Sequence, residues 1–180
     1  MNVDKAIKTR RSVREYKDLP IEDEKLRQIL LAGTYAPSAM NNQNRIIVAI
    51  TGETAKEKLN AAVEAEASEE TRKRICARNG GVFDFFYGAP ALIAVLSTDV
   101  LYPEADCATA IENMALAALD LNLGSCWINQ LTRTQNAKVK SIFKRFGVSE
   151  DAVIYGCLAV GYAATEPEKK DKGGKVIIVK

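Results

Sequence analysis

From Asp106 to Asn122 the chain reads DCATAIENMALAALDLN, and Ala108, Ala110, Ile111, Met114, Ala115, Leu116, Ala118, Leu119 and Leu121 fall on nearly every face of a helix. A helix that is apolar all round has to be covered all round. In a chain of 180 residues two arrangements meet that demand. The helix lies at the centre of the core, or it turns one flank to a second subunit. Either way the remaining elements have to be arranged about it.

Those elements predict a mixed α+β domain with helices around one sheet. Asp4 is placed to cap a short helix ending near Arg10. A second helix runs from about Ile21, with Leu26, Ile29, Leu30, Ala32 and Gly33 at helical spacing. It stops before Pro37, because the residue preceding a proline disfavours helical geometry. Ile46–Ile50, Ala91–Leu96 and Val153–Val160 predict strands, and SCWINQL after Gly124 predicts a strand at a sheet edge. Residues 54–67 predict an exposed helix and Gln135–Phe146 another. SEETRKRICARNGG is a polar stretch leading into the aromatic patch VFDFFYGAP. The tail EPEKKDKGGKVIIVK breaks at Gly173–Gly174 and ends in a β-branched strand with no partner nearby in sequence. Residues 1–180 are therefore expected to form a single domain, with 165–180 reaching towards another chain.

Composition narrows the chemistry. An apolar content of 47% supports one compact core. A net charge of +2, without a basic stripe, gives no sign of a nucleic-acid partner. The start MNVDKAIKTRR lacks the apolar stretch of a secretory signal, and no apolar run approaches membrane-spanning length. A soluble cytoplasmic protein is expected. Cys76, Cys107, Cys126 and Cys157 form no CxxC pair, so free thiols are expected and no metal site. There is no histidine, which removes Ser-His-Asp and Cys-His nucleophilic catalysis and HExxH zinc chemistry. If the chain is an enzyme, the difficult step falls to a cofactor.

The segment TRRSVREY places Arg10, Arg11, Ser12 and Arg14 within five positions. Guanidinium forks and a hydroxyl match phosphate or carboxylate oxygens; the alternative is a solvated basic turn.

RRSVR, PSAMNNQN, FYGAP, the helix DCATAIENMALAALDLNLG, the turn GSCWI and the tail lysines, taken in this order, resemble the FMN-dependent nitroreductase family. The resemblance runs from about Ala6 to Val179. It implies a nitroreductase-like fold, with a central mostly antiparallel sheet flanked by helices, and an intertwined homodimer with FMN in each groove between subunits. Arg10, Arg11, Ser12 and Arg14 match the family's N-terminal flavin motif. Arg10 and Ser12 are implied at the phosphate and ribityl chain, and Arg14 at the pyrimidine end of the ring. Pro37, Ser38, Ala39 and Asn41 match the segment offered from the partner subunit. Trp127, Ile128, Asn129 and Gln130 match the stretch passing the ring, with the Asn129 backbone amide implied at N5. Lys170 and Lys172 match the basic pair that closes over the phosphate.

The resemblance further implies NADH or NADPH as electron donor and ping-pong hydride transfer to a small-molecule acceptor such as a nitroaromatic or quinone. Phe85, Phe86 and Tyr87 are placed to border the pocket or to fill the core. Two departures bear on the substrate. Relatives often continue the asparagine loop as Gln-Pro-Trp, where this chain has Gln43, Asn44 and Arg45, and Glu112 stands where relatives often carry glutamine. Two other functions remain open from the residues: an FMN carrier or redox partner with little turnover, and a regulatory dimer holding a phosphorylated metabolite.

Overall fold

The computed structural model describes residues 1–167 and 173–179. Within them the elements follow as α1 (Val3–Thr9), α2 (Asp23–Thr34), β1 (Arg45–Ile50), α3 (Glu53–Glu66), α4 (Glu69–Arg78), β2 (Ala91–Ser97), α5 (Pro103–Asp120), β3 (Gly124–Ile128), α6 (Ala137–Arg145) and β4 (Val153–Gly161). A 3₁₀ turn at Ala39–Asn41 precedes β1. The strands form one sheet in the order β1-β2-β4-β3, and every pairing is antiparallel.

The sheet is covered on both faces. Successive strand side chains point to opposite sides, so β2 divides its residues between two cores. Leu92, Ala94 and Leu96 join Leu59 of α3 with Val139 and Phe143 of α6. Ile93 and Val95 join Ile29 of α2 and Ile111 and Met114 of α5 on the other face. A strand buried on both faces has no solvent side to mark with polar residues, which is why β2 and β4 read as unbroken apolar runs.

Helix α5 is a core helix with one flank uncovered by its own chain. Cys107, Ala110, Ile111, Met114 and Ala118 are fully buried against the sheet and α2. Ala105, Ala108, Glu112, Leu116 and Leu119, spaced three and four residues apart, line the opposite strip and are exposed or half-buried. Truncating Met114 to alanine removes volume from a packed interior and costs about 2–5 kcal/mol.

Three local features differ from the sequence expectations. Helix α4 forms inside the stretch read as merely polar; the Ser68 side chain accepts the Thr71 N–H, and Glu69 and Glu70 sit in the first turn. Helix α3 is not an exposed helix throughout, since Lys56, Leu59 and Ala62 are buried. The cap of α1 is Asn2, which accepts the Lys5 N–H at 2.8 Å, whereas Asp4 pairs with Lys8 at 2.9 Å. Residues 173–179 form no strand with their own sheet, and Val176, Ile177, Ile178 and Val179 are exposed. Among the described residues no helix is long and apolar enough to cross a membrane.

Candidate functional site at the β3 edge

Strand β3 is an edge strand, and the segment after α1 runs along the start of its free side. The Val13 N–H donates to the Ser125 carbonyl at 2.9 Å, and Ser12 bridges Ser125 in parallel. The close approach depends on Gly124, where a Cβ would lie 2.6 Å from Val13 Cγ2. Tyr16 pins the far end of the segment through bonds from its hydroxyl to the Val13 and Ala159 carbonyls, at 2.9 and 3.3 Å. Burial pushes that phenol far above its ordinary range.

Strand geometry fixes which backbone groups face outward. Main-chain groups of one residue point to the same side and alternate along the strand. Because Ser125 bonds outward to Val13, Trp127 also faces the free edge, while Cys126 and Ile128 face β4. Asn129 follows just past the strand, where its carbonyl turns to accept the Thr132 N–H at 3.0 Å. Its side chain is already engaged, accepting the Trp127 Nε1–H at 2.7 Å.

The cations gather at this edge. Burial pushes the Cys126 thiol up, while Arg14, the Ser12 hydroxyl, Arg10 and Arg78 pull it back. Arg10, Ser12 and Arg14 come together on the segment that docks on β3, and Arg78 of α4 is near enough to act on the same thiol. Arg78 was missed from sequence because α4 itself was missed. Arg10 Nε lies 3.3 Å from Glu112 Oε1 on the exposed strip of α5. Arg11 behaves differently. Its Nη1 donates to the Lys8 and Arg10 carbonyls, both at 2.8 Å, closing the end of α1.

Pro37, Ser38, Ala39 and Asn41 lie at the opposite edge of the sheet, before β1. No hydrogen bond or ion pair joins them to Arg10–Arg14 among the described residues. Their loop holds Met40, Asn41 and Gln43 at φ of 50°, 57° and 54°, a left-handed geometry that costs a non-glycine residue roughly 1–2 kcal/mol. Arg45 Nη1 donates to the Pro37 and Asp106 carbonyls at 2.7 and 3.3 Å. Its Nη2 donates to the Ala36 carbonyl at 2.7 Å and reaches the Thr34 carbonyl at 3.5 Å. The buried Asp106 carboxylate accepts the Ala39 N–H at 3.0 and 3.2 Å.

A cleft of about 390 Å³ opens between Asn129 and Gln130 on one side and Ser68, Thr71 and Arg74 on the other. A larger cleft of about 830 Å³ is lined by Asp18, Leu26, Lys56, Asn60 and Phe86. The smaller one begins just past the end of β3, at Asn129 and Gln130, and neither β3 nor Arg10, Ser12 and Arg14 line it. Phe85 and Phe86 are core residues, meeting edge to face at 5.2 Å. Lys170 and Lys172 lie outside the described residues.

The chain's relatives agree with this architecture. The model of the Nitroreductase family matches residues 7–162. A crystal structure of a nitroreductase with bound FMN from Bacteroides fragilis is 36% identical, with full coverage of both chains and a TM-score of 0.87. Another with bound FMN, from Desulfitobacterium hafniense, is 27% identical over 99% of both chains, with a TM-score of 0.85. A curated relative from Archaeoglobus fulgidus, provisionally named an NADH dehydrogenase/NAD(P)H nitroreductase, is 30% identical over 91% of this chain and 87% of its own. The chain belongs to the nitroreductase family of oxidoreductases.

Proposed function

We propose that this protein is an FMN-dependent NAD(P)H oxidoreductase that passes hydride to a small acceptor such as a nitroaromatic or quinone. The observation that carries the reading is the docking of the Arg10–Arg14 segment on the free edge of β3, where Ser12 bridges Ser125 and the Val13 N–H bonds the Ser125 carbonyl. These residues fit FMN. Arg10 and Ser12 supply charge-assisted and neutral donors for a phosphate, and the Asn129 amide, just past the end of β3, would meet a ring nitrogen. Bound FMN would supply the hydride-accepting centre that a chain without histidine lacks. With FMN bound, Arg14 would stabilise negative charge that develops at the pyrimidine end on reduction, which is where a fixed cation accelerates a reaction. Arg11 shapes the turn through its two carbonyl bonds.

The reading includes a cytoplasmic homodimer, in keeping with four free thiols. Val3 and Ile7 on α1, Tyr35 and Met40 before β1, and the strip of α5 leave apolar surface for a second copy. Pro37, Ser38, Ala39 and Asn41 stand at the edge away from Arg10, so each chain would offer them to its partner's flavin. Residues 176–179 are β-branched and exposed, suited to adding a strand to another chain. The cleft between Asn129 and Arg74 is the proposed seat for donor and acceptor in turn. Initial rates with NADH or NADPH varied at fixed acceptor concentrations should give parallel double-reciprocal lines. Intersecting lines would overturn a shared seat.

A further inference from the structure

We infer that Arg45 is a positioning residue for the flavin site of the neighbouring subunit, and that with Asp106 it forms the clamp that sets the shape of the loop Ala36–Asn41. The inference rests on the flavin reading above.

Three observations converge on this pair. First, the Arg45 guanidinium is surrounded by carbonyl oxygens on two sides. It donates to Ala36 and Pro37 at 2.7 Å, and to Asp106 at 3.3 Å. Ala36 and Pro37 lie just beyond α2, and the last helical carbonyl, that of Thr34, is 3.5 Å from Nη2, so the cation also sits at the negative end of the helix dipole. Second, the carboxylate of Asp106, in the first turn of α5, accepts the Ala39 N–H with both oxygens. Thr109 adds a bond from its hydroxyl to the Pro37 carbonyl at 3.3 Å. Third, the residues just beyond are in left-handed backbone geometry at Met40, Asn41 and Gln43. A loop in that geometry persists only where its surroundings over-determine it.

The consequence is a division of labour. Loops that carry binding groups are positioned by a rigid scaffold, and here the scaffold consists of the first residue of β1 and the first turn of α5. Ser38 continues the restraint by accepting the Gln43 N–H at 3.0 Å. This chain holds the loop by a hydrogen-bonded fork. A lysine cannot reproduce that span, because its single ammonium does not present a planar fork.

The test compares the unaltered protein with Arg45→Met and Arg45→Lys, titrating FMN by fluorescence and recording the visible circular dichroism of the bound flavin. Arg45→Met should weaken FMN roughly tenfold, the loss of about one charge-assisted contact, and alter the dichroic band while the dimer mass is retained. Arg45→Lys should fall between the two in both readouts. If Arg45→Met does not fold, Asp106→Asn and Arg45→Lys carry the test, each expected to weaken FMN about threefold with a shifted band, on the order of one partly lost hydrogen bond. Unaltered affinity and an unaltered band in the variants that fold would overturn the role of Arg45. Failure of the unaltered protein to bind FMN would instead overturn the flavin reading itself.

Discussion

At the β1 edge the Arg45 guanidinium is enclosed by carbonyl oxygens of its own chain, whereas at the β3 edge Arg10 meets one half-exposed carboxylate, that of Glu112. No hydrogen bond engages the Arg14 guanidinium among the described residues. The difference lies in what each backbone leaves unsatisfied. The loop just beyond α2 leaves the Ala36 and Pro37 carbonyls, which a cation at the negative end of the helix dipole closes. The start of β3 is closed by one backbone donor, the Val13 N–H, so the arginines beside it keep their donors for something else. Arg11 shows the same rule within the binding segment, since its Nη1 is taken by the end of α1.

The comparison breaks most easily at Arg10. Arg10→Ala should weaken FMN roughly 10- to 100-fold, the range for a charge-assisted bond to phosphate. Its urea midpoint should barely move, because the exposed pair with Glu112 contributes about 0–1 kcal/mol to stability. Equal FMN affinity for Arg10→Ala and the unaltered protein would erase the contrast between the edges. A smaller effect sharpens it. Glu112→Gln removes a carboxylate 3.3 Å from Arg10 and should tighten FMN by about three- to fivefold at low salt, with the gain shrinking as ionic strength rises. Weaker binding in Glu112→Gln would mean that the carboxylate orients Arg10 for the phosphate.

Much of this contrast could be read from the sequence, and the missing part has a physical cause. The strands were legible because Ala91–Leu96 and Val153–Val160 are continuous apolar runs, which two-sided burial demands. TRRSVREY could be read as a candidate anion segment because its side chains carry the chemistry. Helix α4 was not, since of its residues only Ile75 is buried and periodicity had almost nothing to register. Its remaining signals were the Ser68 cap and the Glu69–Lys73 pair at 2.7 Å. With α4 went Arg78. The role of Arg45 was hidden for another reason: its partners are backbone carbonyls, which leave no mark in a sequence. From sequence it read as a charge added near the site, and in the structure the charge is absorbed by the loop it holds.

The most direct test of the central claim, that the β3 edge seats a redox-active flavin, is an anaerobic titration followed in the visible. The purified protein, loaded with FMN, should show the oxidised flavin bands. Adding NADH or NADPH should bleach them, and an acceptor such as a quinone should restore them. A bound flavin that neither nicotinamide cofactor bleaches would contradict the account and leave a flavin carrier in its place.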